Sequence, residues 1–143
     1  MPELRLNLIT REWVIIATER AKRPDEFRQK RDKKYLPDHD KNCPFCPGNE
    51  DKTPGEIMKV SSDGSWKIRV TPNKFSALSF EGERKRINEG LKHLVTGVGK
   101  HEVIIESALH NTPTALMPAE DVADILKIYK NRFLDIYNDP RIE

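Results

Sequence analysis

The chain has 143 residues, with 25 Lys and Arg against 23 Asp and Glu, for a formal net charge of +2. That length suits one domain, and so small a net charge excludes bulk attraction to nucleic acid. No apolar run approaches the roughly 18 residues of a membrane span and no leader pattern opens the chain, so the expectation is a cytoplasmic protein that meets neither membrane nor nucleic acid.

Leu4, Leu6 and Leu8 alternate with polar residues, Thr10-Arg11-Glu12 supplies a turn, and Trp13-Val14-Ile15-Ile16 is apolar and largely β-branched. The pattern predicts a β-hairpin over residues 4–18. Residues 19–34 are densely charged, and such runs are usually solvated loops. Within this run Arg20, Lys22 and Arg23 lie between a strand and Pro24. A short constrained loop of this kind can also clamp a phosphate, because a planar guanidinium binds two oxygens at once.

Both cysteines of the chain fall in Asn42-Cys43-Pro44-Phe45-Cys46-Pro47-Gly48-Asn49. Two thiolates three positions apart on a tight turn can share one small cation, and zinc is the usual occupant of such a sulfur pair. A redox pair competes, but it normally opens a helix after a strand, and Pro47-Gly48 is a poor helix start. A disulfide across so short a loop gains little from closure, and two unrelated free thiols are the remaining alternative. Zinc takes four ligands, so the metal reading looks to His39, His93, His101 and His110 for the rest. His39 lies four residues before Cys43, and His110 follows an apolar run where a strand would end.

Ile57-Met58-Lys59-Val60 reads as a short strand, residues 61–65 as a hairpin turn, and Trp66-Lys67-Ile68-Arg69-Val70 as the returning strand in clean alternation. Thr71-Pro72-Asn73-Lys74-Phe75 then breaks it. An asparagine and an aromatic ring at a strand end can hold a nucleobase, although a plain turn with Phe75 plugging the core is the simpler reading. Residues 81–99 are polar and punctuated by glycine, so a long connection with little core is expected there. Val103-Ile104-Ile105 is apolar on both faces, which predicts a central strand. Residues 118–138 form the clearest helix, opened by Pro118 with Glu120 and Asp121 in its first turn. Val122, Ile125, Leu126, Tyr129, Phe133, Ile136 and Tyr137 fall on one stripe, read as core packing. The expected class is α+β: five or six antiparallel strands in one sheet with a long C-terminal helix packed on it.

Taken in order, Arg-Glu-Trp-Val-Ile-Ile-Ala, the Arg20–Pro24 cluster, Cys43-Pro44-Phe45-Cys46-Pro47-Gly48-Asn49-Glu50, residues 70–78, His101-Glu102-Val103-Ile104-Ile105-Glu106 and His110 resemble the N-terminal part of the galactose-1-phosphate uridylyltransferases, a family of the histidine-triad-like (HIT-like) superfamily. The resemblance implies that residues 1–143 are the first of two HIT-like repeats, truncated before a His-Pro-His strand. It implies exchange of UMP between UDP-glucose and galactose or another hexose 1-phosphate, through a uridylyl group carried covalently on a histidine. It implies zinc held by Cys43, Cys46 and His110, with a fourth ligand beyond Glu143. It places Arg20 and Arg23 near the phosphates, and Asn73, Lys74 and Phe75 at the uridine. No His-Pro-His occurs in the sequence, so no residue here is assigned as catalytic, and the isolated chain is expected to be inactive. The implied partners are the remaining C-terminal part of the enzyme, or a partner chain, and a second copy in a homodimer. The alternatives are an ADP-sugar phosphorylase or adenylyltransferase relative, and a non-catalytic zinc-stabilised binding module.

Overall fold

The structure, a computed structural model, describes residues 1–17, 20 and 35–142. Among the described residues seven strands and one long helix run in the order β1 (Glu3–Leu6), β2 (Trp13–Ile16), β3 (Met58–Ser62), β4 (Ser65–Pro72), β5 (Arg86–Glu89), β6 (Lys92–Thr96), β7 (Glu102–Ile105) and α1 (Ala119–Tyr137). The class is α+β with antiparallel pairing between the named strands, and the described chain forms two compact units, one built on β1, β2, β5 and β6, the other on β3, β4, β7 and most of α1. The single expected sheet is therefore two: four strands in the order β2-β1-β6-β5, and three in the order β3-β4-β7.

In the first unit the predicted hairpin forms, with Leu4 opposite Ile15 and Leu6 opposite Trp13. The expected long connection over 81–99 is corrected, because it contains the β5–β6 hairpin, turned at Gly90-Leu91. Composition hid it. β5 reads Arg-Ile-Asn-Glu and is exposed at every position, as suits an edge strand protected by charge. β6 carries the contact inward through Val95, which pairs with Leu4. Gly97 is required where it stands: a Cβ there would lie 2.8 Å from the Pro2 backbone, whose carbonyl accepts the Gly97 N–H at 2.8 Å.

In the second unit β3 and β4 meet at Asp63-Gly64, both with positive φ (44° and 83°), as a two-residue hairpin turn of right-handed twist demands. The pairing then slips. Ser61 faces Trp66 but Val60 faces Ile68, so Lys67 is an extra residue, a β-bulge. One added residue reverses the alternation. Lys67 and Ile68 both look toward α1, whereas Trp66, Arg69 and Thr71 contact residues 50–55 instead. The expected clean alternation of Trp66, Ile68 and Val70 is corrected on this point.

Ile68 and Val70 pack on Ile125 and Ile128 of α1, flanked by Met58, Val60, Ile104 and Met117. Burying each such side chain contributes about 1.5–3 kcal/mol. Lys67 Nζ reaches Asp121 and Asp124 near the start of α1 at 2.7 and 2.8 Å, and hydrogen bonds from Lys127 and Lys67 hold the Asp124 carboxyl down at about 2. The Pro118 carbonyl accepts the first helical N–H bonds, so that proline caps the helix just outside its first residue.

Two further expectations change. β7 pairs only with β4 among the described residues, so it is an edge and β4 is central. Of the expected α1 stripe Ile125 is buried, on a line with Ile128, whereas the neighbouring line of Leu126, Tyr129, Phe133 and Tyr137 is 42–64% exposed. The two lines lie about 100° apart around the helix, and a three-stranded sheet covers only one of them.

Arg132 of α1 donates to both carboxylate oxygens of Glu102 on β7, each at 2.8 Å, with only 13% and 8% of the two side chains exposed. Breaking so enclosed a pair strands a charge. Arg132→Ala should lower stability by about 3 kcal/mol in urea unfolding, whereas removal of the exposed Lys85–Glu83 pair should change it by less than about 1 kcal/mol.

Candidate metal centre and substrate-binding residues

Residues 40–49 wind through successive tight turns: the N–H groups of Cys43, Cys46 and Asn49 donate to the carbonyls three residues earlier, of Asp40, Cys43 and Cys46, at 3.1–3.3 Å. The buried Asn49 side chain closes the loop, its amide donating to the Cys43 and Asp40 carbonyls at 2.9 and 3.3 Å. These bonds turn both sulfurs to one side.

His110 reaches them from far along the chain. Its N–H donates to the Asp38 carbonyl at 2.8 Å, and the Asn111 amide bonds the Asp38 carboxylate at 2.7 Å and the Leu36 carbonyl at 3.0 Å. The segment after β7 is thereby laced to the segment that enters the cysteine turn. Cys46 Sγ and His110 Nδ1 lie 3.5 Å apart, and the three ligand atoms of Cys43, Cys46 and His110 all lie within 4.8 Å of one another. Around a tetrahedral zinc, with Zn–S of about 2.3 Å and Zn–N of about 2.0 Å, ligand atoms sit roughly 3.5–3.8 Å apart. The soft donors and their spacing fit zinc.

The electrostatics fit as well. Cys46 is 3% exposed and its sulfur accepts the Asp40 N–H at 3.4 Å. Burial pushes the Cys43 thiol up, against the downward pull of the Phe45 amide, so a metal must displace a proton to bind there. Among the described residues no fourth side chain joins the group. His39 lies beside the turn but directs Nε2 to the Pro47 carbonyl at 2.9 Å. His93 bonds Asn88 at 2.8 Å, and His101 accepts the Ala77 N–H at 2.9 Å.

The candidate substrate residues are placed as follows. Arg20 is half-buried, with its N–H on the Ala17 carbonyl at 3.1 Å. Burial and the Arg20 charge together hold the His101 pKa below its usual value. Arg23 lies outside the described residues. Asn73, Lys74 and Phe75 form the turn after β4, with Lys74 exposed and the other two half-buried. Asn73 and Lys74 belong to the second unit and Phe75 to the first. Residue-type reasoning missed the supports of the cysteine turn: Asn49, Glu50, Trp66 and Arg69. Trp66 becomes a neighbour of the turn only through the bulge at Lys67.

A family model described as galactose-1-phosphate uridyl transferase, N-terminal domain, matches residues 1–142. The chain belongs to that family. Its members transfer nucleotidyl groups, and the two antiparallel sheets with a C-terminal helix are the HIT-like form of α+β. Among curated relatives, ADP-glucose phosphorylase of Arabidopsis thaliana is 36% identical over 138 residues, covering 94% of this chain and 39% of that protein. Galactose-1-phosphate uridylyltransferase of Haemophilus influenzae is 26% identical over 137 residues, covering 94% and 38%. The crystal structure of an Arabidopsis thaliana ADP-glucose phosphorylase with bound ADP-glucose superposes with a TM-score of 0.58 at 32% identity, covering 99% of this chain and 40% of that one. The chain thus spans about two fifths of the length of these family members. No helix among the described residues is long and apolar enough to cross a membrane.

Metal analysis after dialysis checks the ligand set. The chain should retain about one zinc, and Cys43→Ser with Cys46→Ser, or His110→Ala, should lose it, whereas His39→Ala should keep it. Affinity should rise with pH through the thiol range and fall on acidification, because thiolates bind and protons leave.

Proposed function

We propose that this chain is the N-terminal HIT-like repeat of a nucleotide-sugar nucleotidyltransferase, covering residues 1–143 and ending before the strand that carries the nucleophilic histidine. The observation that carries this reading is the family match over residues 1–142, together with the grouping of Cys43, Cys46 and His110 within 4.8 Å. In the complete protein a nucleoside monophosphate passes from a nucleoside diphosphate hexose to that histidine, and from it to a phosphate-bearing acceptor such as hexose 1-phosphate. The first step breaks the bond within the diphosphate and releases the hexose 1-phosphate; the second restores the free imidazole. The rest of the protein supplies the nucleophile, the complete enzyme is a cytoplasmic homodimer, and the isolated chain is inactive.

In this reading Arg20 and Arg23 face the diphosphate and offset its charge, with planar forks that each meet two oxygens. Asn73 and Phe75 hold the base by hydrogen bonding and stacking, and Lys74 adds a positive charge beside them. Zinc, held by Cys43, Cys46 and His110, serves as a structural clamp between the cysteine turn and the segment after β7.

The family's description names uridyl transfer, which supports the reading of UDP-glucose as donor. A second reading, ADP-glucose, is favoured by the higher identity to ADP-glucose phosphorylase, 36% against 26%. The ratio of kcat/KM for the two donors, measured on the complete protein containing this segment, decides between them. In the same protein Arg20→Ala and Arg23→Ala should each cost about 1.5–3 kcal/mol of transition-state stabilisation with the preferred donor, the worth of a hydrogen bond to a charged group. Lys33→Ala should cost far less. Arginine variants that behave like the Lys33 variant would contradict the phosphate role.

A further inference from the structure

The tail of the cysteine turn is fastened to β4 by a set of bonds that the metal itself does not require. Glu50 opens a short 3-10 turn, Glu50–Lys52, immediately after Asn49. One oxygen of its carboxylate, Oε1, accepts the Gly48 N–H at 3.1 Å and the indole N–H of Trp66 at 2.7 Å. Gly48 lies two residues beyond Cys46, and Trp66 is a buried residue of the central strand. A single carboxylate oxygen thus ties the backbone of the metal turn to the sheet.

Arg69 fixes the next stretch. Its side chain is 3% exposed, and it donates to the Thr53 hydroxyl at 2.8 Å, the Gly55 carbonyl at 3.3 Å and the Glu56 carboxylate at 3.2 Å. Thr71 adds a bond from its hydroxyl to the Gly55 carbonyl at 3.0 Å. All three anchors, Trp66, Arg69 and Thr71, share the face of β4 that the bulge turns away from α1.

We infer that Glu50 is a positioning residue of the metal centre, which holds the Cys43–Cys46 turn in its metal-ready shape from β4 before any ion arrives and thereby sets the metal affinity. The inference rests on the metal reading of Cys43, Cys46 and His110. Loosening the Gly48 amide would let residues 46–48 sample other turns, and each binding event would then include the cost of re-forming this one. The Trp66 hydrogen bond, ahead of smaller contributions that include the Gly48 amide and the Arg69 charge, holds the Glu50 carboxyl below its usual range, so the residue is an anionic acceptor at neutral pH.

The test is zinc affinity by competition with a chromophoric chelator, on the purified chain and its Glu50→Ala, Glu50→Gln and Trp66→Phe variants. Glu50→Ala should bind zinc about 10–100-fold more weakly, the range found when groups supporting metal ligands are removed. Glu50→Gln keeps an oxygen acceptor and should restore most of the affinity, and Trp66→Phe should fall between. In the zinc-free chain, hydrogen exchange at the Gly48 and Asn49 amides should be slowed in the parent and in Glu50→Gln, and fast in Glu50→Ala. A Glu50→Ala chain that binds zinc as tightly as the parent overturns the inference while the metal reading stands; if that variant fails to fold, Trp66→Phe with parental affinity overturns it equally. A parent chain that takes up no zinc overturns the metal reading and this inference with it.

Discussion

Strand β4 carries one residue more than β3 between Trp66 and Ile68, and that residue, Lys67, decides which side chains meet which part of the second unit. Without it Trp66 would share a face with Ile68 and Val70, and the indole would be directed at α1. With it, Lys67 joins the helix side and reaches Asp121 and Asp124, while Trp66 joins Arg69 on the face directed at residues 50–56. A central strand buried on both faces normally reads as uninterrupted hydrophobics. Here one face is apolar and the other holds a buried arginine whose N–H groups are met by carbonyl, hydroxyl and carboxylate oxygens. Such a network is stable only because it is satisfied: among the described residues no buried side-chain nitrogen or oxygen lacks a partner.

The polar face organises the cysteine turn, and the apolar face anchors the helix. Between them the two faces fix where β7 lies, because β7 pairs with β4 and the segment after it carries His110. The convergence of Cys46 and His110, 64 positions apart in sequence, therefore depends on sheet register as much as on the cysteine turn. A slip of one residue in β4–β7 pairing would carry the segment after β7 away from Asp38 and Cys46.

The parts legible in the sequence were those carried by local patterns. The Cys43–Cys46 spacing, the Asp63-Gly64 turn, the alternation in β1 and the capped helix each rest on neighbours within a few residues. What escaped was set by long-range pairing. β5 has one apolar residue among polar and charged ones, and it is a strand because β6 pairs with it. The apolar stripe on α1 is wider than the sheet beneath it, so periodicity could not tell Ile128 from Leu126. The edge position of β7 runs against its apolar Val103-Ile104-Ile105 run, since apolar content reports burial and not the number of pairing partners. The bulge has no residue signature at all; Lys67 fits a clean alternation as well as it fits the bulge. Within the candidate site, Cys43, Cys46 and His110 could be named from sequence, whereas Glu50, Trp66 and Arg69 could not. The proposed phosphate role of Arg23 falls on residues outside the described part of the chain.

The central claim is that the fold builds a sulfur–nitrogen metal centre from the cysteine turn and the segment after β7. X-ray absorption at the zinc edge of the zinc-loaded chain tests it most directly. The account predicts two sulfur scatterers at about 2.3 Å and one imidazole nitrogen at about 2.0 Å, with the imidazole signal lost in His110→Ala. A shell of oxygen and nitrogen alone, or an unchanged spectrum in His110→Ala, would contradict it.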